Sequence, residues 1–229
     1  MLRKWDDLPS FMKSDEVRVY YDSLVRKRTQ LRIKQGFDYV TAFFLVIILF
    51  IPMLVIAVLI KAESPGPVLF RQKRVTAYGK YFNIHKFRTM YVDHKDRTDL
   101  TVWDDPRITR AGKLLRRTRL DELPQLFDVL AGHMSFVGTR PEVPAYVKQY
   151  SKEMYATLLL PAGITSRASI CFRNEADLLK GTSGVQRDQL YVEQILPEKM
   201  KENLKEVRSF SIENDMRVLL RTVSCILRD

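Results

Sequence analysis

The longest feature in the hydrophobic pattern is an uncharged run from Val40 to Ile60, 21 residues interrupted chemically only by Thr41 and Pro52. As a helix it would reach about 30 Å, enough to cross a bilayer once. Arg26, Lys27, Arg28, Arg32 and Lys34 precede it, and Lys61, Arg71, Lys73 and Arg74 follow it. A spanning helix leaves its basic excess on one side, so cations on both flanks argue against simple crossing. Pro52 offers another route, because proline removes a backbone donor and kinks helices. It would leave arms of about 18 and 12 Å that enter and return on the same face. On the pattern alone, spanning, re-entry and burial as a core helix all stay open.

Ahead of this run, residues 15–35 carry Val17, Tyr20, Tyr21 and Leu24 at helical spacing among basic residues, which predicts an interfacial or packing helix. Behind it, Ser64-Pro65-Gly66-Pro67 is a strong turn signal. The stretches Val68 to Val75 and Tyr81 to Thr89, crossing at Gly79, read as a hairpin. Residues 107–119 hold Arg107, Arg110, Lys113, Arg116, Arg117 and Arg119 without an acid, with Leu114, Leu115 and Leu120 on an apolar side, predicting a short cationic helix. Near the end, Ile212, Met216, Leu219, Leu220, Val223, Ile226 and Leu227 recur at three- and four-residue steps, an amphipathic stripe for the core or for lipid. No repeat or low-complexity linker divides the chain. The elements predict an α+β fold, mostly helical, with a small β-hairpin and amphipathic interfacial helices.

Composition narrows the partners. The chain has 229 residues, sufficient for one catalytic-sized domain, and a net charge of +11, which attracts phosphate, nucleic acid or anionic lipid without choosing among them. Cys171 and Cys225 lack metal-knuckle spacing and disulfide density, which fits a reducing, cytoplasmic setting. His85, His94 and His133 show no metal-ligand spacing, which disfavours His-based metal hydrolysis. The start of the chain, with Trp5, Asp6 and Asp7, does not read as a secretory signal.

The chemistry concentrates in Arg116-Arg117-Thr118-Arg119-Leu120-Asp121-Glu122-Leu123-Pro124, where two adjacent carboxylates follow a dense guanidinium run. Such surroundings keep a carboxylate ionised and prepare a site for phosphate. An ionised Asp can attack phosphorus to form an acyl phosphate, provided that cations neutralise the approach. Neighbours on a helix diverge by about 100°, so one acid would attack while the other helps hold metal or orient the site. By itself the pair reads as an exposed helix start, which the helix dipole favours. Its context adds Lys86-Phe87-Arg88 upstream and the Gly-marked stretch from Gly132 through Gly138-Thr139-Arg140-Pro141 downstream, suited to phosphate contact.

With these pieces in order, the chain resembles the bacterial sugar transferase family, the monotopic phosphoglycosyl transferases. The matching stretches are SPGPVLFRQKR, KFRTM, DDPRITRAGKLLRRTRLDELPQLFDVLAGHMSFVGTRPE and PAGIT, and the resemblance covers roughly residues 36–229. It implies an N-terminal basic extension over 1–36, a re-entrant membrane helix over 37–61 broken at Pro52, and a catalytic domain over 62–229 on the cytoplasmic face of the bacterial inner membrane. It implies dependence on Mg²⁺, with Asp121 at the metal, and a first membrane step of polysaccharide assembly. Asp121 would attack the β-phosphate of a UDP-sugar and expel UMP, and polyprenyl (undecaprenyl) phosphate would collect the phosphosugar. Glu122 would be the companion acid, Arg116 and Arg140 phosphate clamps, and Lys86 and Arg88 further cations toward substrate. Pro141 would shape the nucleotide side. Partners so implied are the donor, the lipid acceptor, the bilayer and downstream glycosyltransferases, with no nucleic acid; a homodimer stays open.

Three positions depart from the family pattern: Thr139 in a loop that usually reads GPRP, Ile51 where a Ser often precedes the membrane proline, and Ser166-Arg167 after Thr165. Ile51 removes a hydroxyl that could bond freed carbonyls at the break. Two competing readings are a non-catalytic, basic, membrane-anchored lipid-binding module and a hydrolase or nucleotidyltransferase using the same cations. The first leaves the ordered motifs unexplained. The apolar run favours a lipid acceptor over the second.

Overall fold

The computed structural model describes residues 2–92, 105–179, 182 and 184–227. His94 and Asp104, the first residue of the DDPRIT stretch, lie outside them, as does the side chain of Leu227.

Packing starts at the first helix. Ser14 accepts a hydrogen bond from the Val17 N–H at 3.4 Å and starts α1 (Asp15–Val25), whose first turn holds Asp15 and Glu16, where the helix dipole favours acids. Val17, Tyr20, Tyr21 and Leu24 are buried in one cluster with Leu2, Leu8, Met12, Ala156, Leu159, Leu204 and Phe210. Of the two roles open to the helix expected over 15–35, packing is the one that the apolar face performs, but this helix ends at Val25 and the next begins at Arg28, so residues 28–35 belong to that next helix.

Helix α2 (Arg28–Glu63) runs for 36 residues, about 54 Å at 1.5 Å per residue. The break expected at Pro52 is not an interruption, because helical structure continues on both sides of it. Proline removes only its own donor and bends the helix, which resumes once later N–H groups bond normally. Leu31, Asp38, Ala42, Met53, Ile56 and Ile60 form a buried stripe along its length. Leu31 joins the cluster around α1, Ala42 packs with Phe82, Ile84, Leu126 and Val129, and the stripe after Pro52 packs with Phe87 and Leu115. On the other flank Phe44, Ile47, Ile48, Ile51, Val55 and Val58 are each more than half exposed. Among the described residues, α2 is the helix long and apolar enough to cross a membrane.

Strands β1 (Leu69–Val75) and β2 (Tyr81–Phe87) form the expected hairpin, paired antiparallel from Leu69 opposite Phe87 to Val75 opposite Tyr81. Its turn takes Tyr78 at φ 62° and Gly79 at φ 73°. The Arg3 N–H donates to the Tyr78 hydroxyl at 3.0 Å, which pins this unusual tyrosine from the N-terminal segment.

The cationic helix is α3 (Arg110–Arg117), followed by a 3₁₀ turn at Leu120–Glu122, α4 (Gln125–Leu130) and β3 (Met134–Val137). Then come α5 (Pro144–Val147), a 3₁₀ stretch at Glu153–Leu159 and β4 (Ala162–Thr165), which pairs in parallel with β3. The chain closes with α6 (Arg167–Cys171), α7 (Glu175–Leu178), α8 (Gly184–Leu190), a π-helical turn at Tyr191–Ile195, α9 (Leu196–Arg208) and α10 (Ile212–Leu227). The C-terminal stripe is not the buried face expected of a core helix: Met216, Leu220 and Val223 are exposed and Ile212, Leu219 and Ile226 half-buried, while the helix buries Asp215 and Val218. The departure after Thr165 has a local use. Ser166 accepts from the Ser169 N–H at 2.9 Å and caps α6, and the Arg167 N–H donates to Glu206 of α9 at 2.8 Å.

Candidate active site

Two close backbone approaches bring the cationic groups together. A Cβ on Gly112 would lie 2.1 Å from the Thr89 carbonyl oxygen, so only glycine lets α3 rest on the chain leaving β2. One turn later, Arg116 donates from Nε to Thr89 Oγ1 at 2.8 Å. Glu63, at the end of α2, accepts from the N–H groups of Arg110 at 2.7 Å and Ala111 at 3.0 Å, satisfying donors that a helix start leaves orphaned. The second approach crosses β3 and β4. A Cβ on Gly163 would lie 2.2 Å from the Gly138 N and O atoms. Gly138 donates to Thr165 at 3.0 Å and Gly163 to Thr139 at 2.9 Å, which fixes the backbone immediately before Arg140.

After α3 the chain turns sharply. Arg119 takes the left-handed conformation, φ 58° and ψ 15°, at a cost of roughly 1 kcal/mol or more for a non-glycine residue. The two acids that follow lie in a 3₁₀ turn rather than the α-helix anticipated, so their side chains diverge by about 120° and still serve separate ends. Strain held at such a point is characteristic of functional sites.

The divergence is chemical as well as spatial. Glu122 Oε1 accepts from Lys86 Nζ at 2.8 Å and from Arg140 at 2.8 Å, with Glu122 only 8% exposed. Burial pushes its carboxyl up, but Arg140, Lys86 and Arg119 pull it further down, so Glu122 stays ionised. Lys86 is lowered by burial, with Arg140 adding to the effect and Glu122 opposing it. Glu122 holds Arg140 firmly charged. The Asp121 side chain, also 8% exposed, accepts no hydrogen bond among the described residues. Burial and the neighbouring Glu122 charge push its carboxyl up, opposed by Lys86, Arg119 and Arg116. One acid is thus a fixed anchor for two cations, and the other is an unbonded carboxylate within their field.

Other expected residues fall into different places. Arg88 is buried, and its guanidinium donates to the carbonyls of Ser64 at 2.8 Å and Pro65, tying the end of β2 to the end of α2. These bonds give Arg88 a structural occupation two residues from Lys86. Pro141 is buried, with its carbonyl accepting from Arg74 at 3.1 Å. His85 binds Asp128 through Nδ1 at 2.7 Å, and His133 packs on the Phe82 ring, 5.5 Å between centroids. Sequence reasoning did not single out Thr89 or Arg119. Nothing local marks Thr89 as the partner of Arg116, and left-handed backbone is ordinarily announced by Gly or Asn.

Among the described residues no three His, Cys, Asp or Glu side chains gather into a metal cage. Mg²⁺ does not need one, since it is characteristically bound by one or two carboxylates with substrate phosphate oxygens and water. Asp121, unbonded and disfavoured as a bare anion by burial, fits that requirement.

Comparison with known proteins identifies relatives of the chain. Residues 29–229 match the family described as bacterial sugar transferase. The chain is 37% identical over 201 residues to a UDP-N-acetylgalactosamine-undecaprenyl-phosphate N-acetylgalactosaminephosphotransferase of Aeromonas hydrophila, covering 85% of this chain and 44% of the relative. It is 37% identical over 201 residues to an undecaprenyl-phosphate glucose phosphotransferase of Komagataeibacter xylinus, covering 83% and 35%. With the UDP-glucose:undecaprenyl-phosphate glucose-1-phosphate transferase of Escherichia coli (strain K12), identity is 34% over 196 residues, covering 83% and 39%. The chain therefore spans less than half the length of these three relatives. With the family matched over nearly its whole length, the chain belongs to the bacterial sugar transferase family.

Proposed function

We infer that this protein transfers a phosphosugar from a UDP-sugar to a polyprenyl phosphate, releasing UMP. The observation that carries the reading is the division of labour in the acid pair: Glu122 clamps Lys86 and Arg140, while Asp121 is unbonded beside them. Relatives bearing undecaprenyl-phosphate sugar phosphotransferase names support the same reaction class.

In the first step an Asp121 carboxylate oxygen forms a bond to the β-phosphorus, and the bond from that phosphorus to the oxygen bridging to the α-phosphate breaks. UMP leaves with that electron pair, and the phosphosugar stays on Asp121 as an acyl phosphate. In the second step a phosphate oxygen of the lipid attacks the same phosphorus, the acyl–phosphate bond breaks, and the Asp121 carboxylate is regenerated. Arg140, Lys86 and Arg116 offset the charge of one anion approaching another, which is the main work of phosphoryl transfer. Asp121 would hold Mg²⁺, which supplies charge neutralisation at the diphosphate when bound.

The site's attachment to α2 supports a membrane setting. Both ends of α2 are tied to the body that carries the acids: Lys34 pairs with Asp215 at 2.7 Å near one end, and Glu63 caps α3 at the other. Its buried stripe continues across Pro52 while its other flank is bare apolar surface. With both ends held by one body, α2 bent at Pro52 would dip into one leaflet and return, with the acids on the cytoplasmic side of the inner membrane, rather than carry one end to the far side. A relative from Rhizobium leguminosarum bv. phaseoli named as an exopolysaccharide production protein, 48% identical over 112 residues, favours polysaccharide assembly as the destination.

The deciding experiment is intact-mass measurement with a UMP assay, on wild type and Asp121→Asn incubated with UDP-glucose or UDP-N-acetylgalactosamine and no lipid acceptor. Wild type should release UMP and gain the mass of a phosphosugar, and Asp121→Asn should do neither. UMP release without a covalent adduct would replace this mechanism with direct transfer.

A further inference from the structure

Behind the Arg140 loop lies a buried charged cluster that the two transfer steps do not call on. Glu142, two residues past Arg140, accepts at Oε1 from the Tyr191 hydroxyl at 2.7 Å and from Lys199 Nζ at 3.3 Å. The same ammonium donates to the Tyr191 hydroxyl at 2.8 Å and pairs with Glu175 Oε2 at 2.9 Å. Lys199 is only 5% exposed and Tyr191 1%. Tyr191 opens the π-helical turn between α8 and α9, where the extra residue in the turn redirects side chains, and its ring packs on Tyr146 with centroids 4.7 Å apart.

This cluster meets the active site at Arg140. The guanidinium bonds Glu122 at 2.8 Å, and the Glu175 carboxylate adds to the field that keeps it charged. Arg140 therefore feels the charge of a carboxylate on α7 as well as those of the catalytic pair. A buried carboxylate that loses its partner is an uncompensated charge, and any cation within reach becomes its alternative partner. Lys199 satisfies Glu175 at 2.9 Å and also grips the loop that carries Arg140 through Glu142.

We propose that Lys199 is a positioning residue for Arg140: by pairing with Glu175 and Glu142 it leaves Glu122 as the carboxylate that holds the Arg140 guanidinium at the reacting diphosphate. The inference rests on the reading of Arg140 as a phosphate clamp. It makes Glu175 a competitor for Arg140 that Lys199 keeps occupied, so the effect of losing Lys199 depends on whether Glu175 is charged. A lysine that merely packed would show no such dependence.

The test compares full-length wild type, Lys199→Met, Lys199→Arg, Glu175→Gln and the double variant Lys199→Met/Glu175→Gln, solubilised in detergent. Two readouts are taken at a temperature where melting curves show each protein folded: kcat and KM for UMP release, and the calorimetric Kd for UDP. Lys199→Met should lower kcat/KM and weaken UDP binding by about tenfold or more, the scale of impairing one charge-assisted hydrogen bond. Lys199→Arg should retain most of the function, and Glu175→Gln should stay within about threefold of wild type. The double variant should recover most of what Lys199→Met loses, without a matching gain in Tm. A Lys199→Met protein as active and as tight for UDP as wild type would overturn the proposal, and so would a double variant no better than the single. If Lys199→Met does not fold, Glu175→Gln decides: a tenfold loss makes Glu175 a needed anchor and overturns the idea, and wild-type behaviour upholds it. Absence of UMP release by wild type refutes the transfer reading separately, and the pattern of UDP affinities then still decides the role of Lys199.

Discussion

Replacing Glu206 by Gln should remove a stability loss that the wild-type protein suffers between about pH 4.5 and 7. Glu206 sits on α9 with Oε2 accepting from the Arg167 N–H at 2.8 Å, while Oε1 is buried without a partner. With Lys34, Asn203 and Asp215 it lines a cavity of about 20 Å³, enough for a water but not for bulk hydration of a charge. Burial pushes the carboxyl up to about 7, the Arg167 N–H opposes this, Asp215 adds to it and Lys34 counters. A folded pKa above the unfolded value means that folding favours the protonated form. The stabilisation is fully present below the ordinary 4.5 and is lost as pH rises through about 7. At about 1.4 kcal/mol per unit, this amounts to about 3 kcal/mol. For a chain of this size that is a Tm difference of roughly 6–12 °C. Glutamine keeps the acceptor and cannot ionise, so Glu206→Gln should match wild type near pH 4.5 and exceed it near pH 8. Thermal melts of both proteins in the same detergent across that range measure the difference. A gap that stays constant with pH would refute the reasoning.

Two further outcomes follow from the backbone and from α2. Gly163→Ala should lose about 3 kcal/mol or more, because the new methyl group would meet Gly138 backbone at 2.2 Å on a crossing that cannot widen without moving Arg140. Gly36→Ala, with nothing within 4 Å of the added Cβ, should gain about 0.5–1 kcal/mol as a helix-interior substitution, and urea unfolding separates the two. For topology, single cysteines at Arg32 and Ala62, in a chain whose Cys171 and Cys225 are changed to Ser, should both be labelled only from the cytoplasmic side. Labelling from opposite sides would establish a spanning helix.

Much of the candidate site was legible in the chain because its parts are contiguous. Asp121 and Glu122 follow their arginines directly, and Arg140 is flagged by Gly138 and Pro141. That the two acids face different surroundings was also anticipated, since neighbouring side chains must diverge. The error in the local geometry came from Arg119, whose left-handed backbone ends the cationic helix without any residue that advertises such a turn. Arg88 shows the opposite difficulty. Its charge and its place in KFRTM suggested substrate, but the carbonyls of Ser64 and Pro65 claim its guanidinium. A guanidinium's role depends on which acceptors surround it, and those lie 24 and 23 residues away.

By itself the sequence determined the elements whose causes are local: the apolar length of α2, the hairpin between turn residues, and the paired acids behind a run of cations. Each follows from spacing, turn chemistry or composition within about a dozen residues. Tertiary structure alone decided which cations Glu122 holds, since Lys86 is 36 residues and Arg140 18 residues distant in the chain. It also decided that Glu142 meets Lys199 across 57 residues. A buried charge requires a partner, and periodicity states that requirement without naming who fulfils it. The naming is done by the close passages at Gly112 and Gly163, where the absence of a side chain lets distant backbone come near enough to align the groups.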